Sequence, residues 1–224
     1  MMKQTQLLSV GFALLFSITS ANAVVIFGNL GTVDDTTTSN TVGYLNNAQR
    51  NQFQAQGFTM GSSDFEIDSI EFGFGATGAP SPLVEIYGSA LNGNGDSVPS
   101  GAALSTFSLA AAGTVSAKEI YTFGGSFTAS KNTEYWVVVS NSNSAVQESF
   151  EWYSNDSFTT PSKKNASGIS YLGTLERDGS GGSWNQTLPS LSIRVSGSAV
   201  PEPSALALLG LGTVGFFARR RRMA

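Results

Sequence analysis

The sequence predicts an all-β domain, an antiparallel β-sandwich of about eight or nine strands, flanked by an N-terminal signal helix and a short C-terminal transmembrane helix. Composition, short alternating runs and two distinctive termini carry that expectation. The 224 residues are 41% apolar, 11% aromatic and only 12% charged, enough apolar material for one core and too little charge for a disordered chain. Twenty-five glycines and seven prolines, with abundant Ser, Thr and Asn, disfavour helices. Glycine weakens helix interiors, and Ser and Asn compete there for backbone hydrogen bonds. Short strands joined by turns fit this composition.

Taken in order, residues 1–23 run Met-Met-Lys, an apolar stretch from Leu7 to Ile18, then Ser20-Ala21-Asn22-Ala23. Charge, apolar run and small-residue exit in that order predict a Sec-type signal peptide. Ala21 and Ala23 supply the small residues for cleavage after Ala23, with the Sec translocon and signal peptidase as partners. Val24-Val25-Ile26-Phe27 predicts an edge strand opening the domain of residues 24–200. In Phe65-Glu66-Ile67-Asp68 apolar residues alternate with acids, and Ile70-Glu71-Phe72-Gly73-Phe74 alternates in the shifted phase, which predicts a bulge near Ser69. Phe58 to Met60, Leu83 to Tyr87, Ala103 to Leu109, Ile120 to Phe123, Phe150 to Tyr153, Ile169 to Leu172 and Leu191 to Val195 predict further strands. Tyr135-Trp136-Val137-Val138-Val139 is apolar throughout, as for a central strand packed on both sides or one beneath a covering loop.

The tail, residues 201–224, opens with Pro201-Glu202-Pro203, continues in an apolar run from Ala205 to Ala218 and ends on Arg219, Arg220, Arg221 and Arg222 before Met223-Ala224. Fourteen helical residues span ~21 Å against a hydrocarbon core of ~30 Å, a short anchor. The arginines stay cytoplasmic while the signal peptide sends the domain outward. This tripartite ending closely resembles the PEP-CTERM sorting signal. The resemblance implies a Gram-negative host that makes exopolysaccharide, and an exosortase that cleaves near Pro201, Glu202 and Pro203, which act as substrate positions. An ordinary membrane anchor with stop-transfer arginines shares part of the layout.

Gln54-Ala55-Gln56-Gly57-Phe58-Thr59, Ile67 to Phe72, Val84 to Tyr87 and the run Lys131-Asn132-Thr133 ahead of Tyr135 to Val138 resemble the choice-of-anchor R domain, over about residues 49–196. That resemblance implies an extracellular domain paired with alternative C-terminal anchors, an architecture without assigned catalytic residues.

Charge and chemistry narrow the function. With Lys3 and the arginine cluster in the terminal segments, residues 24–200 keep seven basic and fifteen acidic side chains, a net charge of about −8. The basic residues are scattered apart from Lys163-Lys164, which argues against nucleic-acid binding. The chain has no Cys and no His, which removes Ser-His-Asp and Cys-His nucleophiles and the usual zinc ligands. The expectation is a non-enzymatic surface or matrix protein associated with exopolysaccharide, without catalytic residues, metal or cofactor.

Four readings of local chemistry accompany it. Asn92-Gly93-Asn94-Gly95-Asp96 places oxygen-bearing side chains like the start of a calcium loop, but Ser97 and Ala103 stand where Gly and a bidentate Glu would complete it, so a hairpin turn is expected. Asp64, Glu66 and Asp68 share one strand face, and Asp34-Asp35 sits in a polar stretch; both are read as solvated acids. Trp136 and Trp152 are assigned to the core, whereas Tyr153, opposite Trp152, and Trp184, in a glycine-rich loop, form a possible ligand platform for stacking on sugars. The alternative is a secreted carbohydrate-binding or carbohydrate-active protein using two carboxylates among Asp64, Glu66, Glu85, Glu148 and Glu151.

Overall fold

Period-two alternation drives this chain into extended structure, and the computed structural model is all-β and antiparallel. It describes residues 23–30, 39–45, 50–76, 80–110, 118–142, 148–153, 162–163, 168–187 and 191–200. The strands are β1 (Val24–Gly28), β2 (Ser39–Leu45), β3 (Arg50–Thr59), β4 (Phe65–Ala76), β5 (Pro82–Leu91), β6 (Ser97–Leu109), β7 (Glu119–Ala129), β8 (Glu134–Asn141), β9 (Ser149–Tyr153), β10 (Ser162–Lys163), β11 (Ser170–Asp178), β12 (Asn185–Gln186) and β13 (Ile193–Ala199).

The expected eight or nine strands are therefore corrected to thirteen among the described residues, hydrogen-bonded in one sheet of order β10-β1-β13-β4-β7-β6-β5-β8-β3-β11-β12. Strands β2 and β9 stitch this path together, β2 pairing β3 and β9, and β9 pairing β4. The stitching works because β3 and β4 each change partner along one edge. Residues Gln54 to Thr59 pair β8 while Arg50 to Gln52 pair β2; Phe65 to Phe72 pair β13 while Phe74 to Ala76 pair β9. β1 is not an edge strand either, since it lies between β13 and β10. The described residues contain no helix, and the expected signal and transmembrane helices fall outside them. None of the described residues forms a helix long and apolar enough to cross a membrane.

The bulge expected near Ser69 is present. Against both β7 and β13 the register skips Asp68, so Phe65 and Ile67 before it and Ile70, Phe72 and Phe74 after it all reach the same core. One extra residue is what lets two opposite alternation phases bury one face. In β8 Tyr135, Val137 and Val139 join that core, while Trp136 and Val138 on the opposite face pack with Ala55 and Leu175 in a second cluster, so β8 is packed on both sides. The main core is aromatic at its centre, where Phe72 and Phe74 stack at 4.8 Å with Trp152 edge-on to both.

The polar faces are tied by hydroxyls. Glu66 accepts hydrogen bonds from Ser126 Oγ and from Thr128 Oγ1 at 2.7 Å, and these two donors, Ser126 first, hold its carboxyl below the ordinary glutamate value. A depressed folded-state value contributes stability that is present above the unfolded value and lost as pH falls through the folded one. Acid unfolding should therefore draw on Glu66 at pH below the ordinary glutamate value of 4.5. Glu66→Gln is expected to lower the neutral plateau slightly, by what the charged form contributes, and to leave the acid end nearly unchanged, so that the acid limb flattens; the effect is small because the site is solvent-screened. An acid limb of unchanged steepness in urea titrations of the variant would contradict this assignment.

Candidate ligand site

Alternation along β9 builds one side of the site. Phe150 and Trp152 face the core, which leaves Ser149, Glu151 and Tyr153 half-buried on the opposite face. β2 sets hydroxyls beside them: Thr41 lies opposite Glu151 and Ser39 opposite Tyr153. Ser39 Oγ donates to Glu151 Oε2 at 2.6 Å and Thr41 Oγ1 to Oε1 at 3.1 Å, which fixes the carboxylate. On the other edge β4 presents Gly75 opposite Glu151. A Cβ at Gly75 would lie 2.9 Å from Tyr153 Cε2 and 3.1 Å from its hydroxyl, so the absent side chain is what lets the ring lie across β4. The Lys118 ammonium stands 4.8 Å from the Tyr153 ring centroid, a cation–π contact.

Together Gly75, Ala76, Lys118, Ser149, Glu151 and Tyr153 border a cavity of about 350 Å³. Burial, and then the charge of Glu151, push the Tyr153 phenol above its ordinary value, so it stays protonated at neutral pH and able to donate. A phenol, an ammonium, a hydroxyl-anchored carboxylate and a ring edge in one concavity offer the alternating donors and acceptors that a polyhydroxylated molecule requires.

Trp184 lies elsewhere. It packs against the second cluster beside Phe53, Tyr87, Val98 and Leu172, and its ring is 4.6 Å from the guanidinium carbon of Arg177. Tyr153 and Trp184 thus belong to different side-chain clusters. Trp136 and Trp152 are buried in the core positions assigned to them.

The candidate carboxylates have separate partners. Asp64 accepts the Lys131 N–H at 2.6 Å, Glu85 the Tyr87 hydroxyl at 3.1 Å, and Asp68 the Ser69 hydroxyl at 3.0 Å. The backbone carbonyl of Glu148 accepts from Asn141 Nδ2 at 2.8 Å. The Asn92 to Asp96 segment is a hairpin turn between β5 and β6: Asn92 Oδ1 accepts the backbone N–H groups of Asn94 and Asp96, each at 2.9 Å, and Gly95 takes φ +87°. Asp34-Asp35 lies outside the described residues.

Sequence reasoning missed Lys118, Gly75 and Arg177. Lys118 follows an Ala- and Ser-containing stretch, and Gly75 reads locally as strand punctuation; the β4–β9 register gives Gly75 its ligand-facing role, and the β4–β7 register, with Glu119 opposite Phe74, brings Lys118 beside it. Of the terminal positions, Ala23 is exposed just ahead of β1, while Ala21, Pro201, Glu202, Pro203 and Arg219 to Arg222 lie outside the described residues.

No curated protein compared with the chain matches it. Over the central residues the resemblance to the choice-of-anchor R domain is without a matching family. At the C-terminal end, residues 199–222 match the PEP-CTERM protein-sorting motif, the finding that supports an exosortase-sorted protein exported to the cell envelope or surface, with exosortase as its processing partner.

Proposed function

We propose that this chain is a non-enzymatic structural or adhesive module of the cell surface or extracellular matrix, associated with exopolysaccharide. Residues 24–200 act as a β-sandwich of the choice-of-anchor R kind, and residues 201–224 hold the precursor in the inner membrane until exosortase acts. The observation that carries the reading is the sorting motif at residues 199–222. The separate hydroxyl and amide partners of Asp64, Glu66, Glu85 and Glu151 weigh against a paired-carboxylate reaction. A second reading, a secreted carbohydrate-binding protein, is favoured by the Tyr153 cavity with its mixed donors and acceptors.

Intact mass and cell fractionation in an exosortase-positive host and its exosortase-deleted counterpart test the first reading. The expected result is a form beginning at Val24, ending near Pro201 and located outside the cell only in the positive host. Replacing Pro201, Glu202 and Pro203 together with alanine should reproduce the deleted host's pattern. A form that keeps Ala205 to Ala224 in both hosts would make the tail a plain membrane anchor.

A further inference from the structure

The outer face of β3, β5, β8 and β11 carries a group that the domain's own chemistry leaves unfinished. Arg177 lies opposite Phe53 in the β3–β11 register, and its guanidinium carbon is 4.6 Å from the Phe53 ring centroid and 4.6 Å from that of Trp184. Two rings thus hold the planar group. No ion pair forms between Arg177 and any carboxylate among the described residues, whereas Arg194 pairs with Glu71 at 2.9 Å. Glu85 on the same face accepts the Tyr87 hydroxyl instead. The Arg177 Nε is buried without a hydrogen-bond partner, which leaves the two Nη groups as the remaining donors.

A half-buried, unpaired cation is out of place in a domain with a net charge of about −8. Its neighbours do not supply the counter-charge. Glu176 and Asp178 flank it in sequence, but in a strand successive side chains point to opposite faces. Glu176 lies opposite Gln54 in the register and accepts from Gln52 Nε2 at 3.3 Å, on the other side of β11. The held guanidinium is therefore oriented before any ligand arrives.

We propose that this face binds an acidic sugar unit, a uronate, through Arg177. The carboxylate takes the two Nη groups in the forked geometry that guanidinium favours, and the apolar face of the sugar ring rests on the exposed part of Trp184 or Tyr87. Charge complementarity selects an anion, and the aromatic neighbours favour a sugar over an acidic peptide. The proposal rests on the reading of the protein as exopolysaccharide-associated and adds a chemical class to its ligand. The site is distinct from the Tyr153 cavity, where Lys118 and Glu151 suit an uncharged unit.

The experiment is a titration of the full-length chain in detergent micelles with tetragalacturonate, with its methyl ester and with tetraglutamate, followed by tryptophan fluorescence. Trp184 is the informative reporter, because Trp136 and Trp152 are almost wholly buried. Tetragalacturonate should bind, with salt weakening it. The methyl ester and Arg177→Met should each bind about tenfold or more weakly, Arg177→Lys should fall between because it keeps charge without the fork, and Ile120→Thr, at an exposed position of β7, should bind as the unaltered chain does. Equal binding by Arg177→Met, equal binding of the ester or no binding of tetragalacturonate would overturn the proposal, and equal binding of tetraglutamate would replace the sugar with an acidic peptide. Should Arg177→Met fail to fold, the comparison of acid with ester on the unaltered chain decides. Exosortase-dependent location is read separately, so a failed titration beside a surface-located protein rejects the uronate site and not the sorting reading.

Discussion

Trp152→Ala is expected to destabilise the domain by about 3–5 kcal/mol, the usual cost of truncating a buried tryptophan. The side chain is 0% exposed, and its indole meets Phe72 edge-on at 4.9 Å and Phe74 edge-on at 6.0 Å. Its Nε1–H donates to the Ser192 carbonyl at 2.8 Å, which ties β9 to the chain leading into β13. Truncation would remove apolar burial, leave a cavity among rings that cannot collapse easily and strand a buried carbonyl, and these costs add. Since domains of this kind have only ~5–15 kcal/mol of stability, the loss is a large share of the total. Trp152→Phe keeps one ring but removes both the donor and part of the indole's buried volume, so its cost should lie between the ~1–3 kcal/mol of the stranded carbonyl alone and that of Trp152→Ala. Urea unfolding with an unchanged slope gives both values. A loss under ~1 kcal/mol for Trp152→Ala would mean that the aromatic cluster does not hold β9 in place.

Much of this core was legible because it depends on side-chain pattern alone. The two alternation phases around Ser69 foretold the bulge, and the unbroken apolar run of β8 foretold burial on both faces, the second against Ala55 and Leu175. What escaped depends on backbone pairing. β2 reads Ser-Asn-Thr-Val-Gly-Tyr-Leu, its only core residue in the described set is Val42, and Gly43 takes φ +99°. Nothing in that pattern distinguishes it from a loop. β10 and β12 have two residues each, below the length at which alternation is visible. β6 also begins well ahead of the run Ala103 to Leu109, because the β5 ladder pairs Ser97 to Ser100, where Val98 packs on the second cluster and Pro99 is buried although the polar residues around them hide any alternation.

The sites divide along the same line. Sorting signals are read as linear order, so charge, apolar run and small residues disclose them. Tyr153 was recognisable as facing away from Trp152 by alternation, but its setting came from pairing three strands that lie far apart in sequence. Arg177 was hidden more thoroughly. In Glu176-Arg177-Asp178 the neighbouring acids suggest local ion pairing, and strand geometry turns them to the other face.

Gly197→Ala is the second large effect, and it tests the bulge directly. Against β4 the register shifts between Ser196 opposite Ser69 and Gly197 opposite Ile67, so Gly197 sits where the extra residue brings the two backbones together. A Cβ there would press on the Glu66 carbonyl oxygen far inside contact distance and lie 2.9 Å from both Glu66 C and Ile67 Cα. Every one of these atoms is backbone, so no rotamer change can relieve the clash, and β13 would have to draw away from β4. That would loosen ladder hydrogen bonds along β13 and disturb the burial of Ile193 and Val195, both 0% exposed. Overpacking ordinarily costs about 1–3 kcal/mol, and the lost pairing adds about 0.5–1.5 kcal/mol per hydrogen bond, so a loss of about 3 kcal/mol or more is expected. Gly124→Ala is the control, since a Cβ at that exposed position of β7 meets nothing within 4 Å, and its effect should stay within about 0.5 kcal/mol. If the two variants unfold at the same urea concentration, the close approach of β13 to β4 at the bulge is wrong, and with it the account of how both halves of β4 face one core.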